Sequence, residues 1–153
     1  MNRTHGEMSR KQAREWMMQV YYQMDVLKDF DPDHEDSILT QKKMDEQEEY
    51  CRRLYRLLIK HKSQLDHYID SFSIGWKIER MAKTDLAILR LATAEILYMK
   101  DIPVAVSINE AVDLAKKYGT EESPRFINAI LAKVADADIP EEEPEDQKEE
   151  GNE

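Results

Sequence analysis

Cysteine, glycine and proline are all scarce in this 153-residue chain, with one, four and five copies. The lone Cys51 cannot close an internal disulfide, which fits a reducing compartment, and it reads as a small core residue. So few glycines leave no Gly-rich phosphate loop and no nucleophile elbow, and no serine or cysteine stands beside a recognisable base. His5, His34, His61 and His67 fall at no metal-ligand spacing; the step from His61 to His67 turns them to different helical faces, and all four read as exposed. Carboxylates abound, but in mixed-charge surface stretches that suit solvated faces better than acid/base pairs. Neither catalysis nor a metal or cofactor is expected. Long apolar runs are missing too: residues 87–99 are broken by Arg90 and Glu95, short of the roughly 20 residues that span a bilayer. Residues 1–8 lack the apolar middle of a secretory signal, so the protein is expected in the cytoplasm and off the membrane.

What remains is a globular composition, 41% hydrophobic and 35% charged, of a length that suits one domain or two small helical subdomains sharing a core. The net charge of −10 argues against nucleic acid only as a sum. Eight acidic residues against Lys148 put −7 of it in residues 139–153 and leave −3 for the rest. That tail has Pro140, Pro144 and Gly151 but one apolar residue, Ile139, too little burial to offset ordering, and is expected to be a disordered solubilising appendage or a mimic of RNA.

Periodicity predicts helices throughout. Ala13, Trp16, Met17, Val20, Tyr21, Met24 and Leu27 recur at three-and-four spacing, with Ser9 and Gln12 as a capping box. A loop over 29–37 precedes a second helix carrying Met44, Cys51, Leu54, Tyr55 and Leu58; Ser63 and Asp66 open a third with Leu65, Ile69 and Phe72 inward. Gly75 closes this half. A strongly apolar helix over about 84–99 lies at the centre of the second half. Another follows Pro103 and stops at Gly119, suited to a left-handed C-cap, and Ser123-Pro124 opens the last, ending near Ala137. The fold class is all-α: two small packed bundles in one compact unit, about 9–75 and 76–138, between a flexible 1–8 and the tail.

Three features rise above background. Arg10, Lys11 and Arg14 put cations in a first turn, against the helix dipole, so something must compensate them. Phosphate is one candidate and Glu15 another; Arg14 sits beside both other cations, flanking the apolar stripe, and Arg3 extends the patch. Arg125, Phe126, Asn128 and Lys133 near the last helix start suit a phosphate and unstacked bases, although Phe126 alone reads more simply as core. Arg90 and Glu95 read as structural charges satisfying buried partners such as Glu110.

The segments SRKQAREWMMQVYYQMD (9–25), DLAILRLATAE (85–95), INEAVDLAKKYG (108–119) and RFINAILAKV (125–134) together resemble the signature segments of the NusB family of bacterial transcription antitermination factors, in order and spacing. The resemblance implies a two-bundle helical protein that binds the boxA element of ribosomal RNA leader transcripts with NusE, a small-subunit ribosomal protein, so that RNA polymerase in the elongation complex resists termination. By position it implies RNA contacts at Arg10, Lys11, Arg14, Glu122, Arg125 and Phe126, and NusE contacts at Tyr22 and Asp85. Departures are Ser9 and Gln12 within the arginine run, Ala129 where glycine is frequent, and the acidic tail. Three other readings stay open: a protein-interaction scaffold without RNA, an accessory module of an RNA methyltransferase, for which the chain lacks a catalytic domain, and a homodimer through faces overlapping the partner site.

Overall fold

A computed structural model describes residues 7–137 of the chain; Arg3 and the acidic segment 139–153 lie outside the described residues. Among those described there are α-helices and short 3-10 turns but no strand. Helix α1 (Arg10–Leu27) starts at the expected capping box: Gln12 N–H donates to Ser9 Oγ at 3.1 Å and Ser9 N–H to Gln12 Oε1 at 2.9 Å. It stops where Lys28 turns left-handed at φ 56°. Ala13, Met17, Val20, Tyr21 and Met24 are buried as the stripe requires, but Leu27, the last helical residue before the left-handed Lys28, is 62% exposed.

The expected loop over 29–37 contains a 3-10 turn, Pro32–His34, and a five-residue helix, α2 (Glu35–Leu39). Periodicity cannot register so short an element. Two buried residues, Ile38 and Leu39, hold it down, and Arg52 and Arg56 clamp Glu35 at 2.7 and 2.9 Å. Burial works against the Glu35 carboxylate, but both guanidinium groups outweigh it and its pKa is lowered.

The second and third expected helices are one, α3 (Glu48–Phe72), interrupted at His61, where φ −119° and ψ 17° are non-helical. Ser63 and Asp66 therefore open nothing, and Met44, though buried, precedes the helix and its leading 3-10 turn. His61 is not exposed as expected: it is buried, with its ring stacked on Tyr98 at 4.3 Å. The kink carries the ring inward, a tertiary effect without a local sequence signal.

Helix α4 (Lys83–Tyr98) is buried from Asp85 to Leu97, and α1, α3, α5 (Val104–Tyr118) and α6 (Ser123–Asp136) all pack on it. A helix apolar on every side belongs in the middle, and its neighbours come from both expected halves. The buried apolar side chains form one cluster, from Met8 to Val134. Cys51 lies inside it, with burial pushing its thiol up to about 12. Arg90 is structural, as expected, but its partners are Asp66, at 2.8 and 2.9 Å, and Asp25 at 3.6 Å, rather than Glu110.

Gly119 ends α5, but at φ −95°, ψ −166°, which is extended and open to any residue. Glycine is needed there for space: a Cβ would stand 2.5 Å from Ser123 Oγ and 2.9 Å from the Ala115 carbonyl. Ser123 is not the cap itself. Glu122 holds that position, Pro124 sits in the first turn, and Ser123 Oγ accepts Thr120 N–H at 2.9 Å while donating to Asp85 Oδ2 at 3.1 Å.

Candidate nucleic-acid interface

The basic first turn of α1 divides three ways. Arg10 reaches toward α3, its Nε donating to Gln47 Oε1 at 2.6 Å and its guanidinium lying 4.1 Å from the Tyr50 ring centre. Lys11 points the other way, to Glu110 at 3.1 Å and Asp113 at 3.5 Å on α5, and its hydrogen bond to Glu110 raises its pKa. Its side chain remains 66% exposed. Arg14 goes inside: only 4% exposed, it donates through Nε to Glu95 Oε2 at 2.8 Å and through Nη2 to Glu95 Oε1 at 3.3 Å.

This corrects the expectation that Arg14 flanks the stripe. Residues three, four and seven further on, Met17, Met18 and Tyr21, are buried on the same face, and Arg14 shares their direction because a carboxylate waits there. Glu95, fully buried, also accepts from the Tyr50 hydroxyl and from Ser107 Oγ at 2.7 Å. Desolvation opposes the Arg14 cation, but Tyr50, Glu95 and Glu110 more than offset it and its pKa is raised. Burial, then the Glu95 charge, holds the Tyr50 phenol well above its ordinary value, so it stays a donor. The compensation that Arg14 needs thus comes from within. Glu15, the other expected partner of the basic turn, instead pairs with Lys117 at 2.9 Å and with the Tyr118 hydroxyl.

At the other cluster, Glu122 and Arg125 are exposed around the start of α6, as are Asn128 and Lys133 further along it. Phe126 is half-buried against the core and meets Trp76 edge to face, with centroids 6.5 Å apart and planes at 75°. Trp76 is 54% exposed and was not singled out from the sequence; an isolated tryptophan between a glycine and a lysine carries no periodic signal. Asp85 is buried beside the α6 start, where burial raises its pKa despite the Ser123 hydrogen bond. Tyr22 stands 41% exposed on the outer side of α1.

Two further features are present, a groove and a side-chain cluster. A groove of about 560 Å³ beside α1 is lined by Gln12, Trp16, Lys42 and Lys43 among others, with Lys42 Nζ 5.1 Å from the Trp16 ring centre. In the turn before α2, Asp29, Asp31 and His34 bring ligand-type atoms within 4.8 Å of one another. His34 Nδ1 lies 2.9 Å from Asp29, whose hydrogen bond raises the imidazole pKa, so the trio works as an ionic clasp on the turn.

The family model described as the NusB family matches residues 11–136. The transcription antitermination protein NusB of Alkaliphilus oremlandii (strain OhILAs) is 45% identical over 130 residues, covering 84% of this chain and 94% of that protein. The protein of the same name from Acetivibrio thermocellus is 44% identical over 128 residues, covering 83% and 88%. Among solved structures, T. maritima NusB superposes with a TM-score of 0.77 at 32% identity over 94% of this chain and 99% of that one. A structure of antitermination factors NusB and NusE in complex with dsRNA matches at TM-score 0.71 and 26% identity, over 82% and 95%.

Proposed function

The chain belongs to the NusB family, and on that premise we propose that it is a transcription antitermination factor that binds boxA-type RNA of ribosomal RNA leader transcripts together with NusE. In the elongation complex the pair promotes processive transcription. The observation that carries this reading is the match over nearly all described residues to relatives named for antitermination, and to a fold neighbour seen with NusE and RNA. The chain does this work in the cytoplasm and by binding alone, without catalysis; among the described residues no helix is long and apolar enough to cross a membrane.

The site residues divide by accessibility. Arg10, Lys11 and Arg125 meet phosphate, Phe126 and Glu122 meet bases, and Tyr22 meets NusE. Arg14 acts through the Glu95 pair that anchors α1, and Asp85 through Ser123 at the α6 start. Because Arg10 and Lys11 hold weak surface partners, RNA must displace Gln47, Glu110 and Asp113, which favours modest affinity without NusE. The test is fluorescence anisotropy with a boxA-type and a scrambled RNA, with and without NusE, at two salt concentrations. Preferential binding that salt weakens and NusE strengthens is expected. If neither RNA binds even with NusE, the RNA reading fails and the protein-interaction scaffold replaces it.

A further inference from the structure

The cations expected to hold RNA on α1 are all engaged within the protein, whereas Lys77, Arg80 and Arg125 are exposed and make no ion pair or side-chain hydrogen bond among the described residues. Along the chain these three flank the members of one aromatic pair. Trp76 immediately precedes Lys77, Arg80 ends the 3-10 turn Ile78–Arg80, and Arg125 adjoins Phe126, whose ring meets Trp76. We propose that Trp76, braced by Phe126, is a base-stacking platform that takes one unpaired nucleotide of the bound RNA. This rests on the RNA-binding function proposed above and adds a contact that the motif resemblance does not assign.

The platform is built rather than incidental. An exposed tryptophan on a loose loop would lose rotamer and backbone freedom on binding, which subtracts from affinity. Here the backbone is already fixed: Trp76 N–H donates to the Ser73 carbonyl at 2.9 Å, and the buried Ser73 hydroxyl donates back to the Trp76 carbonyl at 2.7 Å. Gly75 supplies the left-handed residue that closes the turn, at φ +81°. The Phe126 contact limits the indole on one side, and 54% of Trp76 remains open to solvent. A purine or pyrimidine ring offers the π-face that such a surface fits, whatever its identity.

The surrounding charges say what else the platform does. Glu79, Glu121 and Glu122 are exposed in the same two stretches of chain as the three cations, so charges of the two signs are equal in number there. Long-range attraction does not carry this contact; stacking does. A carboxylate accepts hydrogen bonds and repels phosphate, so Glu122 suits an amino or imino N–H on a base edge. Arg125 and Lys77 suit the phosphates on either side of the stacked nucleotide.

The full-length protein is compared with Trp76→Ala and Trp76→Tyr by anisotropy with boxA-type RNA in the presence of NusE, across a salt series. Removing the indole weakens RNA binding about 5- to 150-fold, the usual range for losing one stacked base, and tyrosine restores most of it. Stacking releases no counterions, so the slope of log affinity against log salt stays as in the wild type for Trp76→Ala, whereas it falls by about one for Arg125→Ala. With Trp16→Phe leaving Trp76 as the sole tryptophan, excited selectively over the tyrosines, RNA quenches the indole emission. Far-ultraviolet circular dichroism and NusE binding without RNA are read on every variant. Unchanged RNA affinity in a folded Trp76→Ala overturns the platform while leaving the RNA function standing. Loss of NusE binding without RNA overturns it in favour of a protein contact, and a wild-type chain that binds no RNA overturns both inferences.

Discussion

Replacing Glu95 with alanine isolates the interaction that ties α1 to the central helix. Glu95 is fully buried and accepts from Arg14, Tyr50 and Ser107. Its removal strands a guanidinium that is 4% exposed, with Glu110 Oε1 at 3.8 Å as the nearest remaining carboxylate, already shared with Lys11. Breaking a buried pair from one side costs about 3–5 kcal/mol. For a chain of this size each kcal/mol moves Tm by roughly 2–4 °C, so Glu95→Ala should melt about 6–20 °C below the wild type. Arg14→Ala belongs in the same range, since it leaves the carboxylate buried without its cation. Urea unfolding followed by circular dichroism gives both values and that of the double variant Arg14→Ala with Glu95→Ala. The double variant should lose less than the sum, by about 0.5–3 kcal/mol, because the two side chains share one interaction. RNA affinity per folded Arg14→Ala molecule should fall less than in Arg10→Ala. An Arg14→Ala protein within about 1 kcal/mol of wild-type stability but unable to bind RNA would refute the reasoning, since a side chain so placed would then be a phosphate ligand and no anchor.

Gly119→Ala should destabilise by about 1–3 kcal/mol in urea, through overpacking of its Cβ against Ser123 and the Ala115 carbonyl; a neutral result would mean that the turn into α6 has slack. The Asp29 carboxylate raises the His34 pKa above its ordinary value, so an NMR titration of the His34 ring should shift downward in Asp29→Asn. A raised base pKa makes that clasp fully present below the unfolded-state value and lost as pH rises through the folded one, and an unmoved titration would dismiss it. Burial raises the Asp85 pKa, so its contribution favours the fold at low pH and is lost as pH rises through the folded value. Asp85→Asn should therefore match or exceed wild-type Tm near neutral pH, with the difference shrinking on acidification; a markedly lower Tm would show that the ionised carboxylate is stabilising.

The limits of sequence reading follow the range of the interactions. The α1 capping box was legible because its partners are three residues apart, and the central position of α4 because apolar residues cover every side of it. The left-handed end expected at Gly119 was misassigned for a physical reason: glycine serves both positive φ and close approach, and only the position of Ser123 separates the two. The division of α3 failed similarly, since Ser63 and Asp66 have capping chemistry, yet the break is at His61, where Tyr98 from another helix receives the ring. Along the chain Arg14 reads as a cation flanking the stripe, because its partner lies 81 positions away.

The sequence by itself determined the helical class and the family, because periodicity, capping and ordered motifs are local or linear properties. Only the tertiary structure decided which cations are available and which are consumed. Arg10, Lys11 and Arg14 look alike along the chain, but the burial of Glu95 draws one of them inward, while Trp76 and Phe126, fifty positions apart, bring their rings together. Burial and charge pairing depend on through-space neighbours, and these exist only once the helices have packed.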